Sequence, residues 1–95
     1  MFAVIRHYHF DKNNSDAIDR AIRDEFVPIV RKAKGFQHYY WLDSGEGEGA
    51  SFGMFNDKAG ADESVRLAAD YVRDRLSKLL TQKPEVIEGP IAAQD

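Results

Sequence analysis

The sequence contains no cysteine, which excludes disulfide bonds, thiolate nucleophiles and cysteine-ligated zinc. It also lacks an excess of positive charge: 13 Lys and Arg against 16 Asp and Glu leave a net charge of −3, which argues against nucleic acid and anionic membranes as partners. No apolar run approaches the roughly 20 residues that span a bilayer, and the start at Met1 lacks the pattern of a signal peptide. We therefore expect a soluble, cytoplasmic protein with one domain over residues 1–95.

The first third of the chain predicts a strand followed by a helix. Residues 2–10 are rich in β-branched and aromatic side chains and end at a cluster of turn formers, residues 11–15. Pro28 lies inside the helical pattern that follows, and it is expected to kink the helix or to end its regular part near Val27. The apolar residues of this helix recur at steps of three and four: Ile18, Ile22, Phe26, Ile29 and Ala33.

The rest of the chain predicts a hairpin, a second helix and a last strand. Residues 36–42 and 50–55 read as antiparallel strands joined by a glycine-rich link. The second helix is expected to begin a few residues after Asp57 because of Gly60, and residues 85–91 form the last strand. The order β-α-β-β-α-β is the ferredoxin-like α+β plan, with both helices on one face of a four-stranded antiparallel sheet.

The aromatic content, 12% of the chain, indicates that both faces of this sheet are apolar. Side chains alternate between faces along a strand, so Ile5, His7 and His9 share one face of the first strand while Arg6 points to the other. Two helices can cover only one face, and the other would expose a larger apolar patch than a monomer usually tolerates. We therefore expect a homodimer in which two open sheet faces pack together.

Two segments resemble antibiotic biosynthesis monooxygenase-like domains of the dimeric α+β barrel superfamily. The run Gly35-Phe36-Gln37-His38-Tyr39 resembles the Pro-Gly-Phe-x-x-Tyr that opens their second strand, although Lys34 replaces the usual proline. Residues 51–58 are similar to their third strand, which ends in an aromatic residue and a capping Asp. The resemblance covers nearly the whole chain and implies the same fold and dimer.

The resemblance also implies a candidate activity, because the family includes oxygenases that work without metal or flavin. In these enzymes an aromatic substrate is deprotonated in a pocket between the sheet and the helices and then reacts with oxygen. No cofactor is therefore expected. The candidate bases are His7, His9 and His38. The candidate binding residues for a small aromatic or polyketide-like ligand are Arg6, Tyr39, Tyr40, Trp41 and Phe55.

Two other activities are disfavoured. A haem-degrading branch of the superfamily uses Asn, Trp and His at positions that here carry Ile5, Phe55 and Val65. A metal site is not expected, because no carboxylate alternates with His7 and His9 on their strand and His38 lies roughly 10 Å away across the sheet.

The alternative to an oxygenase is a non-enzymatic, ligand-binding or stress-associated dimer in which the same rings only pack. A cavity of a few hundred Å³ between helices and sheet, with a histidine facing it, would favour the enzyme. A fully packed layer would favour the alternative.

Overall fold

The strands of the chain form one antiparallel sheet in the order β2-β3-β1-β4, as the ferredoxin-like plan requires. This computed structural model describes residues 1–95. The strands are β1 (Phe2–His9), β2 (Phe36–Asp43), β3 (Glu48–Phe55) and β4 (Glu85–Pro90). The predicted fold class is confirmed, and β3 begins two residues earlier than the sequence pattern indicates.

The first helical segment is less regular than its apolar stripe predicts. It comprises α1 (Ser15–Ala21), a π-helical turn (Ile22–Phe26) and α2 (Val27–Val30). Regular α-helix therefore ends well before the predicted limit near Val27. Pro28 has no N–H to donate, and its ring crowds the carbonyl one turn earlier, so the chain widens just before the proline.

The second helix, α3 (Lys58–Tyr71), begins immediately after Asp57. The Asp57 carboxylate accepts a hydrogen bond from the Gly60 N–H at 3.3 Å, which is an N-cap interaction. The expected later start was wrong, because Gly60 lies within the first turn. The helix continues through a π-helical turn (Val72–Leu76) and a 3₁₀ turn (Ser77–Leu79). None of the helices is long and apolar enough to cross a membrane.

A single hydrophobic core fills the space between the helices and one face of the sheet. It combines inward residues of β1 and β3, such as Tyr8 and Phe55, with helical residues such as Ile18 and Leu76. The opposite face of the sheet, which we call the open face, has no element packed over it. Its apolar side chains include Tyr40, Leu42 and Ile87, which are 59%, 66% and 70% exposed.

A β-bulge changes the facing of residues at the start of β2. The register with β3 shifts between Phe36 and His38, so Phe36 packs against the core although simple alternation would place it beside His38 on the open face. Beyond the bulge the alternation is regular, and Tyr39 and Trp41 face the helices while Tyr40 faces outward. The sequence alone left this choice between Tyr40 and Trp41 open.

Candidate functional site

The structure separates the predicted site residues onto the two faces of the sheet. Those that face the helices are Arg6, Tyr39, Trp41 and Phe55. Those on the open face are His7, His9, His38 and Tyr40. The predicted bases and most of the predicted binding residues therefore lie in different surroundings.

Arg6 is a buried cation without a carboxylate partner. Its side chain projects from the central strand β1 into the helix–sheet layer and is only 6% exposed. Its one side-chain hydrogen bond runs from Nε to the hydroxyl of Tyr8, at 2.9 Å. Burying a guanidinium without a counter-charge costs several kcal/mol. The fold therefore maintains a positive charge in this layer that nothing in the chain neutralises.

Polar groups surround the small cavity beside Arg6. The cavity, which we call the inner cavity, has a volume of about 10 Å³ and is lined on its polar side by Arg6, Tyr39, Ser51 and Ser64. The Tyr39 hydroxyl is buried without a hydrogen-bond partner. Burial raises the pKa of Tyr39, and it also raises the pKa of Tyr8 despite the neighbouring Arg6 charge. Both hydroxyls therefore stay protonated at neutral pH and act as donors, not as bases.

A larger groove lies on the other side of Tyr39. This groove, which we call the outer groove, has a volume of about 360 Å³ and runs between the first helical segment and β2. Tyr39 lines both the outer groove and the inner cavity. Trp41 forms part of the wall and donates from Nε1 to Asp19 at 2.8 Å.

Two histidines form a cluster on the open face. His7 and His9 have ring centroids 4.3 Å apart and lie between two carboxylates. His7 Nε2 is 3.1 Å from Glu48 Oε1 and its Nδ1 is 3.3 Å from Glu85 Oε1. His9 Nδ1 and Nε2 are 3.9 and 3.4 Å from the same two oxygens. We call His7, His9, Glu48 and Glu85 the histidine cluster.

His38 is not part of this cluster. It pairs with Met54 of β3, which in turn pairs with Ala3 of β1, so it lies two strands across from His7 and four residues along. This offset corresponds to roughly 16 Å. The expected distance of roughly 10 Å counted only the separation across the strands and left out the four residues along them. Its ring is stacked instead near that of Tyr40, with centroids 6.1 Å apart.

An apolar groove occupies the other half of the open face. Its volume is about 520 Å³, and its floor includes Ile5, Phe52 and Ile87, with the C-terminal residues 91–94 along one side. No histidine lines it. The open face is therefore polar around the histidine cluster and apolar around this groove.

Several of these residues could not be found by sequence patterns. Glu48 belongs to a glycine-rich segment that reads as a hairpin link, and Glu85 sits at the start of the last strand. Ser51 and Ser64 are isolated small polar residues on a strand and a helix. No local signal marks any of them, because only the strand register and the helix packing bring them to these sites.

Comparisons with known proteins identify the fold. No protein-family model and no curated sequence matches the chain. Solved structures do match, among them a protein of unknown function from Nitrosomonas europaea, with TM-score 0.82 and 18% identity over 99% of this chain and 91% of that one. A monooxygenase of Streptomyces coelicolor, in complex with the ligand nanaomycin D, matches with TM-score 0.76 and 13% identity over 98% and 89%.

A dimeric ferredoxin-like protein from an uncultured marine organism also matches, with TM-score 0.73 and 10% identity over 100% of this chain and 98% of that one. The chain thus has the ferredoxin-like fold that antibiotic biosynthesis monooxygenase-like proteins share. The structural neighbours include such monooxygenases and proteins of unknown function. The similarity therefore defines the fold, and any activity has to be argued from the side chains of the site.

Proposed function

We propose that this protein is a homodimer that binds a small aromatic anion in the helix–sheet layer, with Arg6 as the binding charge. The observation that carries the proposal is the buried guanidinium without a carboxylate partner. A phenolate or carboxylate would supply the missing counter-charge. The protonated hydroxyls of Tyr8 and Tyr39 would supply donors for its oxygen atoms.

The aromatic part of the ligand would enter by the outer groove. The inner cavity, at about 10 Å³, holds no more than a water molecule, so the Tyr39 ring has to turn before a ligand reaches Arg6. The groove outside it, at about 360 Å³, is large enough for a small ring system and is bounded by Tyr39 and Trp41. Such opening is common when ligands bind at gated pockets.

Cofactor-independent oxygenation of this ligand is the second candidate. The neighbour with a bound nanaomycin is a monooxygenase, and Arg6 would stabilise a substrate anion that reacts with oxygen. In the oxidation of an anthrone, the methylene loses both hydrogens, one atom of O₂ becomes the carbonyl oxygen and the other leaves as water. However, the helix–sheet layer is packed and no histidine faces it, which favours binding over catalysis. The proposed roles of His7, His9 and His38 as bases would require a substrate on the open face.

The dimer is proposed from the open face. The apolar groove around Ile5, Phe52 and Ile87 and the exposed Tyr40 and Leu42 form one side of the sheet. A second copy of this face is the complementary cover, and one structural neighbour is a dimeric ferredoxin-like protein.

Titration with dithranol, a dihydroxyanthrone, tests the binding and the oxygenation together. We expect Trp41 fluorescence to report saturable binding, and Arg6→Met to weaken it more than tenfold while circular dichroism shows a retained fold. Tyr39→Phe keeps the ring and removes only the hydroxyl, so it should weaken binding by a smaller factor. It also tests the site if Arg6→Met does not fold.

His38→Ala is the control for binding, because its side chain lies on the open face, on the opposite side of the sheet from the inner cavity. Oxygen uptake above the protein-free rate would favour the oxygenase, and binding without uptake would favour the ligand-binding protein. Equal affinity in the wild type and both inner-cavity variants would overturn the proposal.

A further inference from the structure

We propose that His7, His9 and Glu48 form a binding site for one divalent transition-metal ion of the borderline class that includes zinc, with Glu85 as a positioning residue. The site lies on the open face, whereas the proposed ligand site lies in the helix–sheet layer. The metal proposal therefore does not depend on the ligand site beside Arg6, but it shares the open face with the proposed dimer.

The strand register fixes the four side chains of the histidine cluster on one face. His9 pairs with Glu48 across β1 and β3, and His7 pairs with Glu85 across β1 and β4. Directly paired residues have Cβ atoms about 5 Å apart, and diagonal neighbours remain within reach of long side chains. The neighbour of His7 on β3 is Ala50, which is small and leaves room for the imidazole to reach Glu48.

The donor atoms are close enough to share one ion. One ligand atom from each of His7, His9 and Glu48 lies within 4.8 Å of the other two. Donors of a tetrahedral zinc, at bond lengths of about 2.0–2.1 Å, lie roughly 3.3 Å from one another. His7 Nε2 and His9 Nδ1 lie 3.1 and 3.9 Å from Glu48 Oε1. Small side-chain rotations therefore complete the triad.

Glu85 contacts the edges of the two imidazole rings that face away from Glu48. Its Oε1 lies 3.3 Å from His7 Nδ1 and 3.4 Å from His9 Nε2, which are the two nitrogens that do not face Glu48. A carboxylate that accepts these N–H groups selects the tautomers that leave His7 Nε2 and His9 Nδ1 free to ligate. Metal-binding histidines commonly have such a carboxylate behind them.

The chemistry of the donors selects the class of ion. Two imidazole nitrogens and one carboxylate oxygen suit zinc, cobalt and nickel, whereas calcium and magnesium prefer oxygen donors alone. Three protein ligands leave a fourth position for water or a small anion. The side chains of His7 and His9 are 41% and 25% exposed in the single chain, so an ion can reach them from solvent before the open face is covered by a second copy.

Zinc and cobalt titrations of the tag-free protein test this site. We expect calorimetry to show one Zn²⁺ per chain, and Co²⁺ to give the intense visible bands of a tetrahedral complex. His7→Ala, His9→Ala or Glu48→Gln should each reduce the affinity more than about a hundredfold, because each removes a ligand. Glu85→Gln should retain the stoichiometry and reduce the affinity about ten- to a hundredfold, with changed Co²⁺ bands.

His38→Ala is the matched control, since it removes a histidine from the same face outside the cluster and should leave the affinity unchanged. Circular dichroism confirms the fold of each variant, and all substituted side chains are solvent-exposed in part. The proposal is overturned if the wild type shows no saturable uptake, if His38→Ala weakens binding as much as His7→Ala, or if Glu48→Gln binds zinc as the wild type does.

Discussion

Gly60 lies directly against the carbonyl oxygen of Lys34, so close that a Cβ at position 60 would overlap that oxygen. The contact holds the first turn of α3 against the turn before β2. Two hydrogen bonds reinforce it: Lys34 N–H donates to Glu63 Oε1 at 2.9 Å, and Asn56 N–H donates to the Gly35 carbonyl at 2.8 Å. A proline at position 34 could not donate the first of these bonds, so the lysine at this position makes a contact that the proline of the similar Pro-Gly-Phe pattern could not make.

Gly60→Ala should therefore destabilise the protein. In an open helix this change would stabilise by about 1 kcal/mol, but the clash with backbone requires a shift of the helix, which we expect to cost a net of about 2 kcal/mol. Urea unfolding measures the difference. Gly89→Ala is the control, because a Cβ there meets nothing within 4 Å. Equal stability of the two variants would contradict the packing argument.

Glu25 links the two helical segments and gives stability a predictable pH dependence. Its carboxylate accepts from Tyr71 Oη at 2.8 Å and from Arg75 Nη2 at 2.9 Å. Arg75 and Tyr71 lower the pKa of Glu25 below its ordinary value. An acid whose folded pKa is depressed stabilises the fold above its unfolded pKa, about 4.3, and loses this contribution as pH falls through the folded pKa.

We accordingly expect Glu25→Gln to melt at a lower temperature than the wild type at pH 7. The difference in melting temperature between the two proteins should narrow progressively below about pH 4, as the wild-type carboxylate becomes protonated. Thermal melts by circular dichroism over this range provide the measurement. A gap that is independent of pH would show that the carboxylate charge is not what stabilises the contact.

The Trp41–Asp19 hydrogen bond should be visible in both fluorescence and stability. Asp19→Ala leaves the part-buried indole N–H without its acceptor, and we expect a loss of about 1–2 kcal/mol with a shifted emission spectrum of the single tryptophan. Asp19→Asn retains an oxygen acceptor and removes the charge, so it should unfold close to the wild type. A spectrum unchanged by Asp19→Ala would argue against the bond.

The proposed dimer predicts different effects for two adjacent residues of β4. Ile87 belongs to the open face, and Val86 points to the other side of the same strand. Ile87→Glu should convert the dimer to a monomer in light scattering, since a charge would be buried between two apolar faces. Val86→Glu adds the same charge beside the interface and should remain dimeric. A monomeric wild type, or dissociation by both changes, would remove the proposal.

The sequence predicted the fold through features that are local. The apolar stripes and the turn clusters determine element order, and alternation correctly placed His7 and His9 on one face opposite Arg6. It could not predict the carboxylates beside the histidines, because Glu48 and Glu85 come from two other strands whose register depends on the whole sheet. The polar lining of the inner cavity likewise depends on side chains from four elements, β1, β2, β3 and α3. Pro28 was recognised as a disturbance, yet the π-helical turn before it has no signature in single residues.

The bulge in β2 gives a physical meaning to the spacing between Phe36 and Tyr39. A regular strand brings every second residue to one side, yet these two rings, three positions apart, both contact the core because Gln37 and His38 both face solvent. The two residues between Phe36 and Tyr39 thus determine that both rings face the core, because the bulge adds one residue to the regular alternation. Deletion of either residue would restore regular alternation, so Phe36 and Tyr39 could no longer both face the core. If Phe36 stayed in the core, the residues from Tyr39 to the hairpin would face the opposite side of the sheet.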